Sequence, residues 1–355
     1  MPATAASPFA ARLGIQFPVI QAPMAGSQGS RLALAVSAAG GLGSLPAAML
    51  TADALRAELA ALQAGGRPYN VNFFCHRPPE PDAARDAAWR GRLAALYDAE
   101  FGLDLANAPA GAGRAPFTAE IAALVADVRP PVISFHFGLP TRELLDEVKR
   151  WGSFVLSSAT TVDEARWLEA HGADAVIAQG WEAGGHRGHF LDDDLTRQPG
   201  LFALLPQVVD AVKLPVVAAG GIADARGVRA AFALGASAVQ VGTAYLRCPE
   251  AGTSALHRAA LGSPDAAHTA LTNVFSGRPA RGIVNRAMRE LGPLADDAPR
   301  FPNATAPIAP LRAAAEKAGT GAFSPLWAGQ HVAAEALDAA ALTAALARGV
   351  PPDAP

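Results

Sequence analysis

Residues 174–190 have the sequence Asp174-Ala-Val-Ile-Ala-Gln-Gly-Trp-Glu-Ala-Gly-Gly-His-Arg-Gly-His-Phe190, a short apolar run followed at once by a glycine-rich loop. The run has the length and composition of a strand buried in a parallel sheet. Gly184 and Gly185 allow the loop to adopt positive φ or to approach a ligand closely. His186 follows them, and a histidine held on a loop after a strand is a candidate acid, base or polarising group. The alternative is a glycine-rich turn whose histidine is merely solvated.

The rest of the chain repeats this pattern of apolar runs separated by helical segments. Seven further strands are predicted, at Pro18–Met24, Leu42–Met49, Tyr69–Phe74, Val132–Gly138, Ser153–Ala159, Pro215–Gly220 and Ala238–Thr243. With the run at Ala175–Gln179 they make eight, the count that closes a (β/α)8 TIM barrel of the α/β class. A doubly wound open sheet is the alternative. Against it, no strand leads into a Gly-x-Gly-x-x-Gly turn or a Walker-type phosphate loop.

Two segments do not fit the barrel repeat, and we expect both to be additions to a single domain over residues 1–355. Residues 75–131 form an insertion after the third strand. Within it the pattern predicts helices at Ala83–Tyr97 and Phe117–Asp127 and a loop at Ala106–Pro116. Residues 247–355 are expected to form a helical extension that covers the mouth of the barrel.

The composition argues against several functional classes. Of the 355 residues, 51% are hydrophobic and 17% are charged, so the chain can build a large core. The net charge of −3, without a basic block, argues against a nucleic-acid partner. Cys75 and Cys248 indicate neither a disulfide framework nor a metal site, and without a secretory signal at Met1–Leu13 they favour a cytoplasmic protein. Glycines and a proline interrupt the uncharged run Leu32–Thr51, which argues against a membrane span.

The ends of the last two predicted strands indicate a phosphate site. Gly220 and Gly221 follow the seventh strand, and Gly242 and Thr243 follow the eighth. In TIM barrels the loops after these two strands often hold a phosphate, which needs closely approaching backbone N–H donors. The alternative is that these glycines only allow close packing.

Three amides lie within or at the end of apolar strands, at Asn72, Gln179 and Gln240. A flat heteroaromatic ring such as isoalloxazine needs neutral donors and acceptors of this kind at its edge. Amides whose hydrogen bonds are satisfied inside the core are the alternative explanation.

The chain resembles the nitronate monooxygenases, formerly called 2-nitropropane dioxygenases, in four motifs that occur in the same order. These are Gln21-Ala-Pro-Met-Ala-Gly26, Gln179-Gly-x-Glu-Ala-Gly-Gly-His-Arg-Gly188, Pro215-Val-Val-Ala-Ala-Gly-Gly-Ile222 and Gln240-Val-Gly-Thr243. Ser134-Phe-His-Phe-Gly138 and Leu326-Trp-Ala-Gly-Gln330 are similar to the class of that family with the best-defined nitronate activity.

This resemblance implies an FMN-dependent oxidoreductase. It would oxidise alkyl nitronates, such as propionate 3-nitronate, with O2 to carbonyl compounds and nitrite through a flavin semiquinone, in a detoxifying role. We expect a monomer or homodimer without a metal or a membrane partner. His186 matches the catalytic histidine of the family, and Ser134 and His136 are assigned to the substrate pocket. The predicted FMN-binding residues are Pro23, Met24, Asn72, Gln179, Gly184, Gly220, Gly221, Gln240, Val241, Gly242 and Thr243.

His186 has two expected roles. It would hydrogen-bond to the nitronate or, if protonated, pair with its charge. With a neutral nitroalkane it would remove the α-proton as a base. The pocket tyrosines implied by the resemblance have no evident match, because the tyrosines of this chain are Tyr69, Tyr97 and Tyr245. The candidates to replace them are His257, Phe301 and Trp327.

Three other functions stay open at this stage. The first is an NAD(P)H-dependent quinone or enoyl-acyl-carrier-protein reductase on the same barrel. The second is a metal hydrolase that uses His186, His189 and Asp192–Asp194 as ligands. The third is a barrel that binds flavin or phosphate without catalysis. Arg187 would attract an anion or lie in solvent. The histidines expected at the surface or in packing roles are His76, His171, His257, His268 and His331.

Overall fold

The computed structural model describes residues 7–102, 114–333 and 335–354. Eleven strands lie in these ranges. They are β1 Val19–Gln21, β2 Gly43–Pro46, β3 Tyr69–Phe74, β4 Val132–His136, β5 Phe154–Ala159, β6 Ala175–Gln179, β7 Gly185–His186, β8 Val216–Ala219, β9 Ala238–Val241, β10 Thr269–Thr272 and β11 Ala280–Ile283.

Eight of these strands form one parallel sheet in the order β1-β9-β8-β6-β5-β4-β3-β2. A parallel bridge between Ile20 and Leu42 joins β1 to β2 and closes the sheet into a ring. Each of the eight apolar runs predicted from the sequence contains one barrel strand. The prediction of a TIM barrel is therefore confirmed, and the carboxyl ends of these strands meet at one mouth.

Thirteen helices lie in the described residues, and several of them connect successive barrel strands. They are α1 Pro8–Leu13, α2 Ser30–Ala38, α3 Ala52–Ala64, α4 Ala83–Phe101, α5 Ala119–Val125, α6 Arg142–Arg150, α7 Val162–Ala170, α8 Leu201–Ala211, α9 Ala225–Ala233, α10 Ala255–Leu261, α11 Arg286–Leu291, α12 Thr305–Lys317 and α13 Ala339–Ala347. Thr51 and Thr161 cap α3 and α7, since each side chain accepts a backbone N–H of the first turn. Helix α2 begins at Ser30, and Gly29 precedes it as an N-cap residue without a side-chain hydrogen bond.

Apolar side chains fill both the barrel and the layer around it. Inside the ring, residues such as Ile20, Leu156 and Val217 pack together, and Phe9 of α1 belongs to the same cluster. Between the ring and the helices lie two larger clusters, to which alternate strand residues such as Val176 contribute. This alternation is expected because successive strand residues point to opposite faces of a sheet, and here both faces are buried.

A second sheet lies beside the mouth, in the order β10-β11-β7 with antiparallel pairing. His186 of β7 pairs with Ala280 of β11, so the expectation that a loop carries His186 is wrong. This pairing could not be predicted from the sequence, because β7 has only two residues and its partner lies far along the chain. The extension after residue 247 is therefore not purely helical.

The insertion and the extension pack against each other. Trp89 and Tyr97 of α4 are buried in a cluster with residues of the extension such as Phe275 and Leu311, and the Tyr97 hydroxyl donates to the Pro307 carbonyl. The two predicted helices of the insertion correspond to α4 and α5. Of the loop predicted at Ala106–Pro116, residues 106–113 lie outside the described part of the chain.

The uncharged run Leu32–Thr51 forms most of α2, all of β2 and the turns around them. Among the helices of the described residues, none has both the length and the hydropathy needed to cross a bilayer.

Candidate active site

A cavity opens at the carboxyl ends of the barrel strands, with about 1300 Å3 of space that protein atoms do not fill, part of it continuous with solvent. Its position is the one where TIM barrels carry their chemistry. The predicted site residues that line it are Pro23, Met24, Asn72, Ser134, His136, Gln179, Gly184, His186, Gly220, Gly221, Gln240, Gly242 and Thr243.

Val241 is the one predicted site residue that does not line the cavity. Its side chain is 1% exposed and packs in the core between the barrel and the helices. Its carbonyl accepts the Ala22 N–H at 2.8 Å. Strand residues point alternately to the two faces of a sheet, so the residue next to Gln240 must turn away from the mouth.

β7 and the second sheet hold His186 over the cavity. Its Nε2 lies 2.8 Å from Ser276 Oγ, and Ser276 also lies 3.3 Å from the Arg278 carbonyl oxygen, to which its hydroxyl can donate. Among the described residues, no hydrogen bond to His186 Nδ1 is present. Nδ1 is therefore the ring nitrogen that a ligand can use.

Two side chains fix the backbone of His186. The His186 carbonyl accepts from Gln179 Nε2 at 3.0 Å and from His136 Nε2 at 3.2 Å. His136 Nδ1 lies 3.0 Å from Ser158 Oγ, and Gln179 Oε1 accepts the Gly188 N–H at 2.8 Å. Gln179 and His136 both line the cavity, but their polar atoms mainly position β7.

Arg187 is neither solvated nor available to an anion, in contrast to both expectations. It is 0% exposed. Its guanidinium donates to the carbonyls of Gln179 and Gly180 at 2.9 and 2.6 Å, and to Gln198 Oε1 at 2.8 Å. Removal from water lowers the pKa of Arg187 to about 9, while nearby Glu164 and Glu182 act in the opposite direction. Arg187 therefore stabilises the loop after β6 through these hydrogen bonds.

The charges around His186 are positive. Removal from water and, next, the charge of Arg114 hold the pKa of His186 well below its ordinary value, with smaller contributions in the same direction from His136, Arg278 and His76. His186 is therefore neutral at neutral pH, and the expectation that a protonated ring pairs with the substrate does not hold for the ligand-free protein. Burial likewise lowers the pKa of His136 to about 3.

Aromatic rings enclose His186. The ring centroids of Phe301 and Trp327 lie 5.3 and 5.6 Å from that of His186, and those of Phe137 and Phe74 lie at 6.2 and 6.4 Å. These rings limit the access of water to the histidine. Two of the three candidates to replace the family's pocket tyrosines are therefore next to the histidine.

The tyrosines and the third candidate lie elsewhere. Tyr69, Tyr97 and Tyr245 are all buried in the hydrophobic clusters. His257 stands behind Trp327, whose carbonyl oxygen lies 3.0 Å from its Nε2.

The opposite side of the mouth exposes backbone donors. Gly220 and Gly221 have φ values of 117° and 70°, which favour glycine. In the described part of the chain, the N–H groups of Gly221, Gly242 and Thr243 have no acceptor. Thr243 Oγ1 accepts the Gly329 N–H at 2.9 Å, which leaves its own proton for a ligand. Four donors thus converge at the ends of β8 and β9, as a phosphate requires.

The predicted amides differ in their surroundings. Asn72 Nδ2 donates to Ser134 Oγ at 2.9 Å, in a buried layer that also includes Asn70 and Ser44. Gln240 Oε1 is buried and has no hydrogen-bond partner among the described residues, although Gln240 lines the cavity. A buried carbonyl oxygen without a donor is costly, and a ligand with a ring N–H at this place would satisfy it.

The metal-hydrolase alternative finds no support. No group of three or more histidine, cysteine, aspartate or glutamate side chains in the described residues could hold a metal ion. His189 is 2% exposed and lies 3.5 Å from Asp193, whose side chain is 87% exposed. His186 contacts a serine, not a carboxylate.

Sequence reasoning missed three residues of the site. Arg114 and His331 line the cavity, and Ser276 contacts His186. His331 was expected at the surface or in packing, but its Nδ1 lies 3.0 Å from the Gly221 carbonyl oxygen. All three lie outside the barrel strands. Their local sequence contains no periodic pattern or motif that would assign them to the site.

A closed barrel with a histidine on one side of its mouth and free backbone donors on the other defines an α/β-barrel enzyme. The sequence profile of the nitronate monooxygenase family matches residues 7–348. The nitronate monooxygenase of Pseudomonas aeruginosa is 44% identical over 331 residues, which cover 92% of this chain and 93% of that protein. This chain belongs to the nitronate monooxygenase family, a class of flavoenzymes.

Solved structures share this fold over nearly the whole chain. The nitroalkane oxidase from Streptomyces ansochromogenes superposes with a TM-score of 0.86 at 43% identity, covering 95% of this chain and 96% of that one. FabK from Thermotoga maritima superposes with a TM-score of 0.71 at 27% identity, covering 97% of this chain and 95% of that one.

Proposed function

We propose that this protein is an FMN-dependent nitronate monooxygenase that uses O2 to convert alkyl nitronates, such as propionate 3-nitronate, to carbonyl compounds and nitrite. The proposal rests on one observation. His186 Nδ1 and the free donors at the ends of β8 and β9 line the same cavity. The family membership and the similarity to proteins named for nitronates and nitroalkanes support it.

The residues present fit FMN. The N–H groups of Gly221, Gly242 and Thr243, with the Thr243 hydroxyl, would hold the phosphate. Gln240 Oε1 would accept from the isoalloxazine ring. When bound, the flavin supplies one-electron oxidation of the nitronate and transfer of electrons to O2.

His186 and Ser276 would control the proton at the substrate. When the Ser276 hydroxyl donates to His186 Nε2, the ring proton is on Nδ1 and can bind a nitronate oxygen. When the hydroxyl turns to the Arg278 carbonyl, Nε2 can donate to Ser276, and Nδ1 is free to accept the α-proton of a neutral nitroalkane. One histidine could therefore serve both forms of the substrate.

The positive surroundings of the cavity favour an anionic substrate. The charges of Arg114 and Arg278 stabilise a nitronate by the same interaction that lowers the pKa of His186. Phe74, Phe137, Phe301 and Trp327 exclude water, which strengthens this interaction.

Turnover by the purified FMN-bound protein tests the proposal. We expect O2 consumption and nitrite release with propionate 3-nitronate, without any need for NADH or NADPH. NAD(P)H oxidation with a quinone or an enoyl thioester, together with no nitrite from any nitronate, would instead establish the reductase alternative. The names and identities of the relatives give that alternative less support.

A further inference from the structure

We infer that Arg114 binds a carboxylate on the carbon chain of the substrate, so that this site selects nitronates that carry a second anionic group. The inference rests on the proposed function and deepens it. It concerns a residue that none of the sequence motifs includes, in a cavity where the tyrosines implied by the family resemblance are replaced.

Arg114 lines the cavity, and most of its donors have no acceptor among the residues that the structure describes. Its Nη1 donates to Thr305 Oγ1 at 2.7 Å, and its Cζ lies 5.8 Å from the centroid of Phe301. Within the described ranges this is its only side-chain hydrogen bond, and no carboxylate pairs with it. A guanidinium has five N–H donors in a fixed fork. Burial lowers the pKa of Arg114, and nearby Arg312 lowers it further.

The other arginine near His186 is Arg278, and its guanidinium already donates to carbonyl groups of the protein. Arg278 donates to the carbonyls of Arg187 and His189, and its Cζ lies 4.2 Å from the centroid of Phe137. No carboxylate is among the groups that shift the pKa of His186. A partly buried cation without a counter-ion is costly, and an anionic group of the ligand would offset this cost.

The separation of the two groups suits a short substrate. The Phe301 ring centroid lies 5.3 Å from the His186 ring centroid and 5.8 Å from Arg114 Cζ, so the two groups are no farther apart than these two distances together. After a hydrogen bond of about 3 Å at each end, roughly 5 Å at most remains for the ligand. A nitronate and a carboxylate joined by two or three carbons have this spacing. Arg114 would therefore bind the tail while His186 binds the nitronate.

The test compares a charged and an uncharged tail in the FMN-bound enzyme. The values of kcat/KM are measured by nitrite release for propionate 3-nitronate and for butyl-1-nitronate. In Arg114→Gln we expect a loss of about 10-fold to 100-fold with the charged substrate, mainly in KM, because a charge-assisted hydrogen bond is removed. With butyl-1-nitronate the loss should be at least about 5-fold smaller, because this substrate has no carboxylate and loses only the longer-range attraction between the Arg114 charge and the nitronate.

Two further variants serve as controls. Arg114→Lys keeps the charge and should recover most of the lost activity. Arg312→Gln removes a positive charge close to Arg114 but outside the cavity, since Arg312 pairs with Glu316 on the surface. This variant should leave kcat/KM unchanged for both substrates. A loss in Arg312→Gln would show that the net positive charge, and not a contact of Arg114, determines the rate.

Equal losses with both substrates, or no loss with either, would overturn the inference while the proposed function stands. Absence of nitronate turnover in the unmodified enzyme would instead overturn the proposed function. A binding measurement then decides the role of Arg114. Succinate should raise the Tm of the unmodified protein more than butyrate does, and Arg114→Gln should abolish this difference. An unchanged difference in the variant would contradict the role of Arg114.

Discussion

The two sides of the barrel mouth are built differently. On the histidine side, residues 179–190, the polar groups bind one another: Arg187 donates to two carbonyls and to Gln198, and Gln179 and His136 hold the His186 carbonyl. On the glycine side, at Gly220–Gly221 and Gly242–Thr243, backbone N–H groups have no acceptor in the described part of the chain.

This difference indicates a division of tasks. The histidine side is organised before any ligand binds, which is what precise placement of a proton-transfer group requires. The glycine side stays incomplete without an anion. Substitutions on the histidine side should therefore change chemistry or stability, and substitutions on the glycine side should change cofactor affinity.

The largest effect should follow from His186→Asn. Asparagine can still hydrogen-bond but cannot accept a proton, so we expect kcat/KM with a neutral nitroalkane to fall by about 100-fold to 10,000-fold. The loss with a preformed nitronate should be roughly 10-fold, because only a hydrogen bond is weakened. Steady-state rates of nitrite release with nitroethane and with its nitronate measure both.

Full activity of His186→Asn on nitroethane would exclude the role of His186 as a base. Ser276→Ala is the matched control, because it leaves the histidine in place and removes only its contact at Nε2. Its losses should be smaller than those of His186→Asn with both substrates.

Next in size is Arg187→Met, which should lower the free energy of unfolding by about 2–4 kcal/mol. The substitution leaves the carbonyls of Gln179 and Gly180 and Gln198 Oε1 buried without a donor. Urea unfolding of the FMN-bound protein measures the loss. Arg197→Met, in the same loop but half-exposed and paired with Asp192, should cost less than about 1 kcal/mol. Equal free energies of unfolding for the two variants would show that the hydrogen bonds of Arg187 do not stabilise the loop.

A smaller effect is expected on the glycine side from Thr243→Val. Loss of the hydroxyl removes a donor to the phosphate, so the Kd for FMN should rise about 10-fold, measured by flavin fluorescence quenching. Thr320→Val, at an exposed site away from the cavity, should leave the Kd unchanged. If Thr243→Val binds FMN as tightly as the unmodified protein, the phosphate does not lie at the end of β9.

The last prediction concerns pH and needs no substitution. Burial lowers the pKa of His136 and of His189 to about 3 each, below the ordinary value of about 6.5. The unfolded chain therefore binds more protons than the folded one below pH 6.5, and stability should fall as the pH decreases from 6.5 towards 3. Each histidine contributes up to about 1.4 kcal/mol per pH unit in that window.

Urea unfolding at pH 7.5 and at pH 5.5 measures this dependence, and a His189→Gln variant should lose less stability between the two. Stability that is equal or higher at pH 5.5 would contradict the burial of neutral histidines.

The barrel was predictable because each strand is a local apolar run with a helix after it. The glycine side was predictable for the same reason, since Gly220, Gly221, Gly242 and Thr243 directly follow such runs. Val241 belongs to the same family motif, but its side chain faces away from the cavity.

The histidine side could not be predicted in the same way. β7 is two residues long and pairs with β11, so the position of His186 depends on a contact distant in sequence. Arg187 resembles a solvated loop residue, and only the inward-facing carbonyls of Gln179 and Gly180 make its burial possible. Arg114 and Ser276 lie in segments without regular periodicity, and nothing in their local sequence reveals that they reach the cavity.

The most direct test of the central claim is the absorbance spectrum of the FMN-bound protein under anaerobic conditions. It is recorded before and after addition of propionate 3-nitronate, and separately of NADH. We expect the nitronate to decrease the absorbance of the oxidised flavin, and NADH to leave the spectrum unchanged. Rapid bleaching by NADH with no response to the nitronate would contradict the account and would assign the cavity to a reductase.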